Sequence, residues 1–277
     1  MKLAVISDIH GNIPALEAVL EDIEKWQPDK VIVNGDAVNR GPYSLGVMEY
    51  LDRFLPAASK IQGNHETFIL SFHQKDEDVE NDPLFDLKKF TYWSYRQLGE
   101  RVEELHTWHD SLSVINNVAG DVQITHASLL GNRRGVMPES SDDEILEKLT
   151  DSYPLNIISH THRPFIRTIN GCVYVNTGSV GQPFDNDPRA SYGRFFADKN
   201  GWHSEIRRMT YNKRQAEQDC IDSGFLEMAG PIPHIIYREL LYSKVLLGPW
   251  MKRFAPALHN GEISVEKAVS LYLDEID

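Results

Sequence analysis

Five short apolar runs in this chain each end in residue types that bind metal ions or phosphate. That recurrence constrains the fold more than any other feature. Residues 2–7 read as a buried strand and lead into Asp8-Ile9-His10. Residues 30–34 read as a second strand and lead into Gly35-Asp36. Residues 58–62 form a third and lead into Gly63-Asn64-His65-Glu66. Two later runs, 122–125 and 156–159, end in His126 and in His160-Thr161-His162. Ligands of open α/β sheets gather outside the carboxyl ends of the strands. Five such strands therefore bring carboxylates, imidazoles and an amide to one edge. In extended backbone, positions i and i+2 point the same way. Asp8 and His10 can then grip one ion, and His160 and His162 repeat the argument.

The intervening segments support an α/β chain. Residues 12–26 have helical spacing, with Ile13, Leu16, Val19, Leu20 and Ile23 on one face. Residues 44–55 form a second helix. A helical, aromatic-rich insert is expected over about 66–109. After it the pattern turns antiparallel, with strands at 113–117, 122–125, 156–159, 164–169 and 173–176. Asn170-Gly171 is a hairpin signal. A last hairpin, 192–197 with 202–208, turns at Asn200-Gly201. The expected division is a catalytic domain at 1–211 and a helical C-terminal extension at 212–277. That extension carries amphipathic spacing in Ile235, Ile236, Leu240, Leu241 and Val245.

Composition excludes several functions. The formal net charge is −13 over 277 residues, so general nucleic-acid binding is not expected. Cys172 and Cys220 make no disulfide framework and suit a reducing compartment. No apolar run approaches the roughly 20 residues of a membrane helix. Met1-Lys2 leads into a run too short for a leader core, and the expectation is a cytoplasmic protein without membrane association.

Each motif alone has an ordinary reading. Gly35-Asp36 can be a turn beside a capping Asp. Gly63-Asn64-His65-Glu66 can open a helix with Asn64 as its N-cap. A single His126 can be a satisfied core residue. Together they form a donor set of mixed N and O type, which suits transition metals or zinc. Asp8, His10, Asp36, Asn64, His126, His160 and His162 are too many for one tetrahedral ion and fit two ions sharing a carboxylate. Two ions about 3.5–4 Å apart are the usual device for in-line phosphoryl displacement.

The ordered set Asp8-x-His10, Gly35-Asp36, Gly63-Asn64-His65-Glu66, His126 and His160-x-His162 resembles the motifs of the calcineurin-like metallophosphoesterase superfamily across roughly residues 1–210. The resemblance implies a four-layer α/β/β/α sandwich. It implies an enzyme that hydrolyses phosphate mono- or diesters of small molecules or nucleotides by attack of a metal-bound hydroxide. Its cofactors would be two divalent transition-metal ions, drawn from Mn, Fe, Zn, Ni and Co. It assigns Asp8, His10 and His162 to one metal, Asn64, His126 and His160 to the other, and Asp36 as the bridge. His65 would face the phosphate as the catalytic residue, stabilising the transition state or protonating the leaving group. Gly35-Asp36-Ala37-Val38-Asn39-Arg40-Gly41 is similar to a stretch of the protein phosphatases and diadenosine tetraphosphatases whose arginine binds phosphate, so Arg40 is a candidate substrate-binding residue. Three positions depart from the pattern: Asn39 stands where the phosphatases have Asp, Ser159 precedes His160 in place of Gly, and Ala127 follows His126 in place of Gly.

Two further readings stay open: a protein serine/threonine phosphatase-like enzyme, and a non-catalytic scaffold on the same fold. A small phosphorylated substrate, including a nucleotide, is the expected partner, and the C-terminal helices offer a homo-oligomer contact. Gly131-Asn132-Arg133-Arg134-Gly135 is either a phosphate-reading loop or a solvated turn. Phe90, Tyr92, Trp93 and Tyr95 are read as packing. Residues 76–82 form an acidic solvated loop, and residues 176–181 a turn that supports the metal edge.

Overall fold

The computed structural model of this chain describes residues 1–73 and 79–277, so positions 76–78 of the acidic segment lie outside the described residues. The chain begins with β1 (Lys2–Ile6), α1 (Ile13–Trp26), β2 (Lys30–Asn34), α2 (Ser44–Phe54) and β3 (Ser59–Ile61). β1, β2 and β3 are parallel, with Leu3 opposite Lys30 and Ile32 opposite Ser59. α3 (Asn64–His73) and α4 (Lys89–Leu98) follow, then a 3-10 helix at Gly99–Thr107. Next come β4 (Ser111–Val114), β5 (Val122–Thr125), α5 (Asp142–Lys148), β6 (Leu155–Ile158), β7 (Phe165–Ile169) and β8 (Cys172–Asn176). β9 (Ala190–Asp198) and β10 (Gly201–Met209) return antiparallel to the first sheet, which runs β10-β9-β1-β2-β3. The second sheet runs β4-β5-β6-β8-β7.

The two sheets face each other, and side-chain alternation explains why. Leu3 and Val5 of β1 share one core with Ile32, Val122, Ile124, Leu155, Ile157 and Val175. Ala4 and Ile6, pointing the other way, pack with Leu16 and Val19 of α1 and with Val47, Met48 and Leu51 of α2. Both faces of β1 are therefore apolar, as its unbroken hydrophobic run requires. On the far side, Ile158, Ile169 and Tyr174 pack with Ile145 and Leu149 at α5. The result is the four-layer α/β/β/α sandwich. A helical extension follows: α6 (Lys213–Asp222), α7 (Phe225–Met228), α8 (Ile232–Tyr242), α9 (Leu247–His259) and α10 (Val265–Ile276). It has its own core around Trp250, Phe225 and Ile235, into which Phe90 of α4 inserts. Tyr95 packs instead against the main core. The aromatic segment thus fastens the extension to the sandwich. Among the described residues no helix is long and apolar enough to cross a membrane.

Several expectations need correction. The second sheet is not antiparallel throughout: β6 pairs in parallel with both β5 and β8. The β5–β6 connection is a crossover carrying α5, a helix of seven residues too short for a hydrophobic period. Its start was nevertheless legible, since Ser141 caps Glu144 N in a Ser-x-x-Glu box. The helical segment starts at Asn64 rather than Glu66, so it grows out of the strand-end motif itself. The Asn170-Gly171 turn stands, with φ of 51° and 83°. The last hairpin turns one residue earlier than expected, Asp198 pairing with Gly201.

Candidate metal centre

All seven strand-end residues converge on one edge, but not through extended backbone. Asp8, His10, Asp36, His160 and His162 have φ between 50° and 70°, in the left-handed region, as do Asn39 and Arg40. Seven of the eleven non-glycine residues with positive φ among the described residues lie here. Such conformations cost roughly 1–3 kcal/mol each and persist where a site imposes them. Extended backbone therefore does not align positions i and i+2 at these strand ends. Asp8 and His10 still converge, whereas His160 and His162 separate into two groups. One group comprises Asp8, His10, Asp36 and His162; the other, Asp36, His126 and His160.

Asp36 belongs to both. Its Oδ2 lies 3.3 Å from His126 Nε2 and 3.9 Å from His10 Nε2, while its Oδ1 accepts the His65 N–H at 2.8 Å. Asn64 Oδ1 sits 3.2 Å from His126 Nε2 and extends the second group. Two glycines make the approach possible. A Cβ on Gly63 would fall 2.1 Å from Asp36 Oδ1, and one on Gly35 2.5 Å from His126 Nδ1.

The donor geometry fits cations. His10, His126 and His162 each direct Nδ1 at a backbone carbonyl: Asn39 O at 3.2 Å, Asn34 O at 2.8 Å and Gln182 O at 2.5 Å. A carbonyl only accepts, so each Nδ1 carries a proton and, in the neutral ring, each Nε2 presents a lone pair. This is the usual backing of a metal-binding histidine. Yet His10 Nε2 and His162 Nε2 lie 3.2 Å apart, and Asp8 Oδ1 is 3.2 Å from His162 Nε2 without any hydrogen bond to satisfy it. Lone pairs facing lone pairs in a buried site repel unless a cation lies between them. The second group has the same character. Burial disfavours a charged His126, but Asp36 pushes it up to about 10; a cation there takes the place of that proton. Burial, then the charges of His65 and His162, holds His10 well below the usual histidine range. Burial brings His160 down to about 4.

Residues 176–181 brace this edge from behind. Ser179 Oγ donates to Asp8 O at 2.8 Å, and Gly181 N to the same oxygen at 2.9 Å. Asn176 Nδ2 donates to Ser159 O and Thr161 Oγ1. Ser159 accepts from Asn34 Nδ2 at 2.8 Å, so this departure from Gly ties the two sheets together.

Three supporting residues, Glu66, Gln182 and Glu239, were given no role by the sequence, and a fourth, Asn39, stood there only as a departure from the phosphatase pattern. Glu66 is fully buried and accepts from the backbone N–H of Gly63, Asp36, Ala37 and Val38. It, rather than Asn64, closes the start of α3 and shapes the Asp36 turn; its place in the Gly63–Glu66 motif was the available signal. Asn39 Nδ2 donates to His65 Nδ1 at 2.9 Å, and Asn39 Oδ1 accepts the Arg40 N–H, which fixes the amide's orientation. Gln182 Oε1 accepts from Arg40 Nε at 3.0 Å. Glu239, from α8 of the extension, is wholly buried and ion-paired to Arg40 Nη2. Its other oxygen accepts the N–H groups of Leu246 and Leu247. No local sequence signal announces a partner 199 positions away. Removing one member of a buried pair costs about 3–5 kcal/mol. Glu239→Ala is expected to lower unfolding stability by about that amount in denaturant titration; a loss below about 1 kcal/mol would mean the pair does not join extension to sandwich.

A family model described as calcineurin-like phosphoesterase matches residues 1–223. An uncharacterized protein of Methanocaldococcus jannaschii is 29% identical over 255 residues, spanning 82% of this chain and 95% of that protein. A symmetrical bis(5'-nucleosyl)-tetraphosphatase of Psychromonas ingrahamii is 34% identical over 86 residues, 30% of this chain and 31% of that enzyme. A hypothetical protein of Pyrococcus horikoshii OT3 shares the fold, with TM-score 0.72 at 19% identity over 88% of this chain and 99% of that one.

Proposed function

Because this chain belongs to the calcineurin-like phosphoesterase family of metal-dependent hydrolases, we propose that it hydrolyses phosphate mono- or diesters of small molecules or nucleotides at a pair of divalent transition-metal ions. The observation that carries this reading is the convergence of imidazole nitrogens and carboxylate oxygens in two groups that share Asp36. Asp8, His10 and His162 would hold one ion, Asn64, His126 and His160 the other, and Asp36 would serve both. When bound, such a pair neutralises phosphoryl oxygens and lowers the pKa of water to supply a nucleophile near neutral pH.

The protein's own groups divide the remaining work. His65 accepts from Asn39 at Nδ1, so its single N–H lies on Nε2. Burial keeps the ring neutral, with its pKa down at about 3. A neutral imidazole donates a hydrogen bond to a phosphoryl oxygen and holds no acidic proton for a leaving group. Asn39 in place of Asp thus selects charge stabilisation over proton donation. Arg40 is anchored through Nε and Nη2, and its charge bears on both His10 and His65. Its remaining N–H groups are available to a phosphate oxygen.

Purified protein reconstituted with Mn, Fe, Zn, Ni or Co is expected to hold about two ions per chain by elemental analysis, in line with the two donor groups. It should then turn over aryl phosphate mono- or diesters. Fewer than two ions with every metal would overturn the paired-ion reading. Two ions without hydrolysis of either ester class would overturn the proposed activity.

A further inference from the structure

Beside the metal edge, residues 131–135 form a loop with two arginines and no assigned role. The loop is pinned to the centre. Asn132 Nδ2 donates to Gly63 O at 3.1 Å and to Thr67 Oγ1 at 2.8 Å, both flanking the start of α3. Gly135 lies against the second donor group, where a Cβ would come 2.7 Å from His160 Cδ2. Lys148 Nζ donates to Gly135 O at 2.8 Å and holds the far end. A solvated turn does not need attachments to two site elements and to α5. What the loop carries is charge. Arg133 and Arg134 are both exposed, and among the described residues neither takes a carboxylate partner, in a chain of net charge −13. Arg133 is further placed by its neighbour: its guanidinium carbon lies 4.4 Å from the ring centroid of Phe68. That ring meets His65 edge-on at 5.3 Å. A cation seated on an aromatic face keeps its N–H groups free at the rim.

We propose that Arg133, seated on Phe68, is a subsite for a second anionic group of the substrate, carried on the esterified part on the His65 side of the reacting phosphorus. The preferred substrates are then phosphoesters whose alcohol or phenol component itself bears a phosphate or a carboxylate. Phe68 presents its face to Arg133, so the subsite reads charge rather than stacking a base. This rests on the phosphoesterase reading above and names the substrate class for the same site.

The test compares metal-loaded wild type and Arg133→Ala on phenyl phosphate, para-carboxyphenyl phosphate and hydroquinone bisphosphate. A charge-assisted contact of this type predicts that Arg133→Ala lowers kcat/KM about tenfold, mainly through KM, on a substrate with the extra anion. Phenyl phosphate should change less than about twofold. A loss on hydroquinone bisphosphate alone identifies phosphate as the group read, and a loss on para-carboxyphenyl phosphate alone identifies carboxylate; either supports the subsite. Arg133→Lys should keep most of the preference, and high salt should erode it in wild type. An equal change on all three substrates, with an unchanged melting temperature, overturns the subsite alone. Wild type inactive on all three but active on an aryl phosphate diester overturns the subsite alone; inactivity on the diester as well overturns the phosphoesterase reading and the subsite with it.

Discussion

Asp36→Ala should leave fewer than about one metal ion per chain and reduce kcat at least about 10²-fold. Loss of an outer partner of a metal ligand already costs about 10–100-fold, and Asp36 Oδ2 serves both donor groups at once. The replacement also removes the oxygen that receives the His65 N–H, so a second variant separates the two effects. Asp36→Asn keeps an acceptor for the His65 backbone N–H while removing the negative charge at the shared position, which leaves Asp8 as the donor set's one carboxylate. If both variants lose both ions and activity, the carboxylate is the shared ligand. If Asp36→Asn retains two ions and full rate, Asp36 is a backbone organiser and the pairing proposed above is wrong. Elemental analysis after desalting, read alongside rate, makes the distinction.

His65→Ala is expected to keep both ions and lose about 10²–10³-fold in kcat, the scale of removing one hydrogen-bond donor from a developing oxyanion. The loss should be equal on alkyl and nitrophenyl esters. Asn39 donates to Nδ1 and leaves Nε2–H as the only ring N–H, so the side chain stabilises charge whatever group departs. A loss concentrated on alkyl esters would mean that His65 delivers a proton and that the Asn39 amide does not set its tautomer. Loss of an ion would mean that a ligand has been read as a catalytic residue.

The strand-end residue types were legible because each candidate donor is announced locally, by an apolar run followed at once by Asp, His or Asn. Val122–Thr125 and Lys30–Asn34 follow directly from their apolar runs. The parallel pairing of β6 was not legible, because strand partnership depends on a crossover whose seven-residue helix leaves little periodic signal. The supporting groups were also hidden. Glu66 could be seen only as one letter of a motif, and its four backbone donors come together only when the Asp36 turn folds against α3.

The amino-acid sequence by itself determined the fold family and pointed to the seven candidate donors and to His65, since these depend on residue type and on spacing along single strands. Tertiary structure alone decided how the donors divide. Left-handed backbone at Asp8, His10, Asp36, His160 and His162 leaves Asp8 and His10 in one group and parts His160 from His162; Asp and His enter that region more readily than most residues, but only the packed site holds five of them there. It also decided that Arg40 is held by Glu239 of the extension and that Arg133 rests on Phe68. Those contacts join distant parts of the chain, and side chains far apart in sequence become partners only when the packed layers bring them within reach.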